Sequence, residues 1–197
     1  MMFGVRPNIM MLRYRTLREP RLSSGFCLRC LQAQSMVNLN STMSEPIEDP
    51  KGLGITDAAP SEPGSYVLIM HLAQLATITV GKLGTFEFPE GWYTYAGSAL
   101  GRGGLAARLA YHRRRDKSYH WHIDYLLVHA ELVEIWWAEE NKRKECVWAA
   151  ALRAIPGARV PVANFGASDC RCLAHLVFFR QRPAFAHFSR ALSDLGF

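Results

Sequence analysis

Two short apolar runs, Tyr66 to Leu72 (YVLIMHL) and Trp92 to Ala96 (WYTYA), constrain this chain more than any other feature. Each follows a Pro/Gly-bearing break, and each is too brief for an ordinary helix yet apolar enough to be buried, so both read as strands. Between them, Thr77 and Thr79 alternate with Ile78 and Val80, and Gly81-Lys82-Leu83-Gly84 turns the chain toward Thr85 to Phe88. Hairpin-like strands therefore come first.

Helical signals follow. Gly97-Ser98-Ala99-Leu100-Gly101-Arg102-Gly103-Gly104 reads as a flexible loop that feeds a helix over Leu105 to Arg114, with Leu105, Leu109 and His112 on one face. Tyr119 to Leu127 reads as a short helix or turn. Val133, Ile135 and Trp137 alternate with Glu134, Trp136 and Ala138, the pattern of a strand with one wetter face. Lys144 to Ile155 is a helix stopped by Pro156-Gly157, Leu173 to Phe179 returns as a strand, and Pro183 opens a terminal helix. The expected fold is a small α+β sandwich, a central, mainly antiparallel sheet flanked by helices. Its expected span is 62–182, with residues 183–197 as a C-terminal helix.

Residues 1–61 read as an extension and linker. Residues 1–44 carry six arginines, no lysine and one acid, Glu19, which accounts for +5 of the formal net charge of +6. That composition fits an organellar transit peptide, and the scattered methionines fit equally a sequence upstream of the true start. Residues 45–64 are rich in Pro, Gly, Asp and Glu and poor in core formers. The rest of the chain has 17 basic and 16 acidic residues, so global charge says little about a partner. Local charge says more: from Arg102 to Lys117 there are five arginines and one lysine against Asp116 alone.

No apolar run is long enough to span a membrane. Five cysteines, an odd number, without a secretory signal suggest reduced thiols in a cytoplasmic compartment, with organellar import if the N-terminal segment is a transit peptide.

The chemistry-bearing residues occur in a fixed order: Gly64-Ser65-Tyr66, then Tyr95-Ala96-Gly97-Ser98, then Arg108-x-x-x-His112 on one helix, then Glu145 at the start of another. Arg108 and His112 are four apart and share a helix face. This order resembles the GIY-YIG nuclease superfamily. The similarity sharpens in Gly81-Lys82-Leu83-Gly84, Tyr93 to Ala99, His120-Trp121-His122-Ile123-Asp124-Tyr125, Glu145-Cys146 and Phe165 to Cys170. These strings resemble an uncharacterised branch of that superfamily, a domain of unknown function sometimes fused to an endonuclease-type DNA glycosylase. Ser65 and Ala96 stand where the superfamily name has isoleucine.

The resemblance implies a divalent-metal-dependent endonuclease acting on DNA, in repair or recombination, with RNA as an alternative substrate. Glu145 would hold one Mg²⁺ or Mn²⁺, a hard cation suited to carboxylate and water oxygens. Arg108 would brace the scissile phosphate through its fork of N–H donors. Tyr66 would face the attacking water as base or relay, and Tyr95 would hydrogen-bond the phosphate or nucleophile. A phenol titrates near pH 10, so a basic Tyr66 needs a metal or Arg108 to depress it, and His112 is a competing base. The other reading is a non-catalytic nucleic-acid- or partner-binding module on the same fold.

Three further groups bear on the partner. The Gly97–Gly104 loop, with Gly97, Ser98 and Arg102, could offer backbone amides and charge to a phosphate. Arg113, Arg114 and Arg115 form a basic edge suited to nucleic-acid backbone. Cys170-Arg171-Cys172-x-x-His175, with Cys146, His120 and His122 elsewhere as sources of a fourth ligand, offers zinc ligands. Cys-x-Cys on a strand, however, would point its thiols to opposite faces. His120 and His122 read as polar groups bonded to Asp124 or to backbone.

Overall fold

In a computed structural model, residues 9–13 and 59–196 are described, and all of them belong to one structural unit. Of the extension and linker expected over residues 1–61, residues 1–8 and 14–58 lie outside the described residues. Seven strands and four helices are described: β1 (Met10–Arg13), β2 (Gly64–Leu72), β3 (Ala76–Val80), β4 (Gly84–Phe88), β5 (Gly91–Ala99), α1 (Gly104–Arg113), α2 (His122–Leu127), β6 (Glu131–Glu139), α3 (Glu145–Ala154), β7 (Leu176–Phe179) and α4 (Phe185–Asp194). The main sheet has the order β1-β6-β2-β5-β7 with every pair antiparallel, and β3-β4 forms a separate hairpin.

The pleat of β2 separates two cores, because successive side chains point to opposite sides. Tyr66, Leu68 and Met70 face α1, α2 and the hairpin, where Leu105, Leu109, Ile123, Leu126 and Phe88 close over them. Val67 and Ile69 face α3 and α4, where Trp148, Ala149, Leu152 and Phe188 pack. With both faces covered, β2 can be nearly all apolar.

Four features depart from the sequence reading. Residues 10–13 pair with β6 as an edge strand, so part of the expected N-terminal extension completes the sheet. Ala59 is buried and the carbonyls of Pro60 and Glu62 accept from α1, so the globular unit begins a few residues before 62. The supposedly wetter side of β6 is not wet: Glu134, Trp136 and Ala138 are buried, and Glu134 is matched by Arg182 and by the Trp136 indole N–H at 3.0 Å. Burial of such a carboxylate requires those partners. Finally, α4 contributes Phe188, Ala191 and Leu192 to the second core and is integral to the fold.

Candidate active site

β2 pairs with β5 along its full length, from Gly64 opposite Ala99 to Leu72 opposite Gly91. β7 pairs only with Trp92–Tyr95, and one last hydrogen bond joins Ala96 N–H to the His175 carbonyl at 3.1 Å. The end of β5 thus runs past β7, leaving a notch beside Gly97–Ala99 that communicates with both sides of the sheet. A cavity of about 280 Å³ opens there. Tyr66 and Tyr95 reach it from the α1/α2 side, Arg108 from α1, and Glu145 from the first residue of α3, which lies against the other side. His120, Trp121, His122, Arg143, Ser168, Asp169 and His175 also line it.

Gly97 and Ser98 line the cavity, whereas Arg102, Arg113, Arg114 and Arg115 do not. Gly97, Ser98 and Ala99 are strand residues rather than loop, because their backbones are fixed by pairing with Gly64–Tyr66. The expected amide cradle is also closed: the N–H groups of Gly104, Leu105, Ala106 and Ala107 donate to the carbonyls of Gly101, Glu62, Pro60 and Gly103. The first-turn donors of a helix bind an anion only when left free.

Two glycines set the tyrosines. A Cβ on Gly97 would lie 2.5 Å from the Tyr66 ring, so the Tyr66 side chain lies across the space a side chain at 97 would take. Gly166 has φ of 76°, and a Cβ there would come 2.6 Å from the Tyr95 ring. Its N–H donates to His122 Nδ1 at 3.0 Å, which satisfies the expectation that His122 bonds to backbone.

Behind Tyr66 stands a buried polar chain. The Tyr66 hydroxyl is 2.8 Å from His112 Nε2, and His112 Nδ1 is 3.7 Å from Asp124 Oδ1. Asp124 also receives the Lys117 ammonium at 2.8 Å and the N–H groups of His120 and Trp121 at 2.9 Å each. The His112–Asp124 separation is too long for a direct hydrogen bond, so Asp124 acts on the ring through its charge, and the direction of the Tyr66–His112 bond follows the ring tautomer. Burial lowers the His112 pKa below its ordinary value, with Asp124 opposing it. Asp124 is pushed up by burial, but the nearby His112, the Lys117 ammonium and the two backbone amides win and hold it well below the carboxylate range.

The tyrosines are not acidified. Burial raises Tyr66 to about 12, outweighing the Arg108 guanidinium beside it, and burial likewise raises Tyr95. Desolvation penalises a phenolate more than one neighbouring cation favours it. Of the two groups that a basic Tyr66 would need, Arg108 acts in the lowering direction but is outweighed by burial. Arg108 itself lies 4.1 Å above the Trp121 ring, a cation–π contact that orients it.

Opposite the tyrosines, Glu145 is buried, accepts from Ser98 Oγ through Oε2, and pairs with Arg143 Nε at 2.8 Å through Oε1. Arg143 extends to Asp169 at 2.6 Å, so one guanidinium spans two carboxylates on the cavity wall. Both carboxylates beside the cavity are thus engaged by the same cation. Asp124, Arg143 and Asp169 were missing from the sequence reading as site residues.

Beside that wall, Cys146, Cys170, Cys172 and His175 bring their ligand atoms within 4.8 Å of one another. Such a Cys₃His cluster could hold a metal such as zinc. The objection drawn from Cys-x-Cys does not apply, because Cys170 and Cys172 lie on an irregular loop ahead of β7. Burial and the neighbouring thiols push the Cys146 thiol up to about 12.

Residues 65–196 match the family model described as a domain of unknown function, DUF123. The chain belongs to this family. No curated protein and no solved structure matches it. The matched span of the DUF123 domain contains the cavity wall, the Tyr66–His112–Asp124 chain, the thiol cluster and α4. No helix among the described residues is long and apolar enough to cross a membrane.

Proposed function

We propose that this DUF123 domain hydrolyses phosphodiester bonds of DNA, with the notch beside β5 as its active site. The observation that carries the reading is the convergence of Tyr66, Tyr95, Arg108 and Glu145, from four different elements, on one cavity. A phosphodiester needs a positioned water, charge neutralisation on the phosphoryl group and a group to receive a proton.

Arg108, held over Trp121, receives the phosphate oxygens. Tyr95 donates its hydroxyl proton to the same group, since a raised pKa keeps it a donor. Tyr66 works as a relay: its oxygen takes a proton from the attacking water while its own proton moves to His112 Nε2. The resulting imidazolium is stabilised by Asp124, already ionised. The new bond joins the water oxygen to phosphorus, the bond to the departing deoxyribose oxygen breaks, and that oxygen takes its proton from solvent. His112 acts through Tyr66 and is a positioning and proton-holding residue. Mg²⁺ or Mn²⁺ at Glu145, with Asp169 alongside, would supply Lewis-acid charge to the phosphoryl oxygens.

One observation favours a second reading, a nucleic-acid-binding module without catalysis: Arg143 already bridges Glu145 and Asp169 where a cation would be needed. The test incubates the protein with branched, nicked, single- and double-stranded DNA and with RNA, in Mg²⁺, Mn²⁺ or chelator. Metal-dependent DNA cleavage that disappears in chelator and in Glu145→Gln supports the enzyme. Salt-sensitive binding with no cleavage under any metal supports the module, and cleavage of RNA alone would replace the substrate.

A further inference from the structure

We infer that Cys146, Cys170, Cys172 and His175 bind one Zn²⁺ in a closed tetrahedral site whose role is architectural, fastening the 163–175 loop to the first turn of α3. The inference is independent of the nuclease reading, since it concerns how the cavity wall is held and not what the cavity cleaves.

The geometry supports it first. Zn–S bonds of about 2.3 Å and Zn–N bonds of about 2.0–2.1 Å give a tetrahedron with S···N edges of about 3.6 Å and S···S edges of about 3.8 Å. His175 Nε2 lies 3.4 Å from Cys170 Sγ and 3.7 Å from Cys146 Sγ, and all four ligand atoms fall within 4.8 Å of one another. The set is already gathered to nearly the size of the polyhedron. The three thiols are free of disulfides.

Donor chemistry selects the metal. Three thiolates and an imidazole suit Zn²⁺ and disfavour the oxygen-seeking Mg²⁺ and Mn²⁺ expected at Glu145. Four protein ligands leave no position for water, which marks a structural centre rather than a hydrolytic one.

Placement gives the role. Cys146 follows Glu145 in α3, and Cys170 follows Asp169, the partner of Arg143. His175 donates its N–H to the Phe165 carbonyl at 2.8 Å and accepts from Ala96 through its own carbonyl at 3.1 Å. Gly166, which accommodates Tyr95, also lies against His175. The loop has little regular structure of its own, so a metal crosslink between it and α3 fixes Glu145, Asp169 and the Tyr95 seat at once. Metal binding of this kind is coupled to folding.

The experiment measures metal in the full chain purified without added chelator. About one equivalent of zinc per chain is expected, replaceable by Co²⁺ with the intense absorption of tetrahedral thiolate coordination. Zinc should be lost in Cys170→Ser or Cys172→Ser, neither of which lines the cavity, and stripping the metal with a strong chelator should lower Tm by several degrees. The Co²⁺ spectrum is read on the wild-type chain, so a variant that fails to fold does not decide the matter. Wild-type protein without a transition metal and without a thiolate Co²⁺ spectrum would overturn the inference, as would iron in place of zinc, or a disulfide among the three thiols found by alkylation and mass spectrometry. Cleavage activity enters none of these readouts.

Discussion

The two sides of the sheet bury different things. On the α3/α4 side, Trp136 stacks on Phe188 with centroids 5.2 Å apart, Trp148 meets Phe188 edge-on at 5.4 Å, and the surrounding residues are mostly alanine, leucine and valine. The buried carboxylates on its elements are both matched, Glu134 by Arg182 and Glu145 of α3 by Arg143. The α1/α2 side has its own apolar core and also sinks a row of polar groups, Tyr66, His112, Asp124 and Lys117, under an aromatic layer. Polar groups buried in this way cost stability unless each is bonded, and an apolar replacement would often be no worse. Both sides hold the domain together through an apolar core, and the α1/α2 side in addition keeps a set of charged and proton-bearing groups in place beside the cavity.

The comparison is broken most severely from the α3/α4 side. Trp148→Ala should cost about 3–5 kcal/mol in chemical denaturation, because it removes a large buried ring and leaves a void between α3 and α4. A loss under about 1 kcal/mol would show that this layer is not the support described here. Next in size is Gly97→Ala, where the added methyl meets the Tyr66 ring; overpacking of this kind costs about 1–3 kcal/mol and should displace Tyr66 from His112. A crystal structure of the variant with Tyr66 unmoved would contradict the steric account.

A smaller effect concerns pH. Burial lowers the pKa values of His112 and His122 below the ordinary 6.5, so the unfolded chain takes up protons that the folded chain refuses. Their neutral burial carries no penalty above pH 6.5, and stability falls as pH drops through that value toward the lowered ones. Urea titrations at successive pH values should show this loss, reduced in His112→Gln; an unchanged slope in that variant would remove His112 from the buried set. Smallest of all, alanine at Arg114 and Arg115, both exposed, should alter stability by no more than about 0.5 kcal/mol. Any effect should appear instead as a flatter salt dependence of nucleic-acid binding, by about one unit of slope per lost phosphate contact.

Much of this contrast was legible in the sequence, and the failures have physical causes. The apolar runs and their breaks located β2 to β7 and the helices, because burial on both sides leaves a continuous signal. Gly97-Ser98-Ala99 reads locally as loop, but pairing with Gly64–Tyr66 overrides that preference, and Gly97 is there to seat a ring. Met10–Arg13 is too short to announce itself without β6. Tyr66, Tyr95, Arg108 and Glu145 were found through their order, whereas Asp124, Arg143 and Asp169 gain meaning only from neighbours distant in sequence. The thiol cluster was seen in part as Cys-x-Cys-x-x-His, and the supply of its fourth member by α3 could not be read from spacing. Nor can a sequence tell that burial outweighs Arg108 at Tyr66.

The account stands or falls on whether the polar chain serves the cavity rather than the fold. Tyr66→Phe keeps the ring against Gly97 and removes only the hydroxyl that bonds His112, so it should leave the domain folded, with a stability change of about 1–3 kcal/mol at most. Its single-turnover cleavage of the DNA substrate cut by the wild-type chain should fall by about 10²-fold or more, with affinity for that DNA retained. A folded Tyr66→Phe protein that cleaves at the wild-type rate would contradict the relay and leave His112 and Asp124 as structural groups.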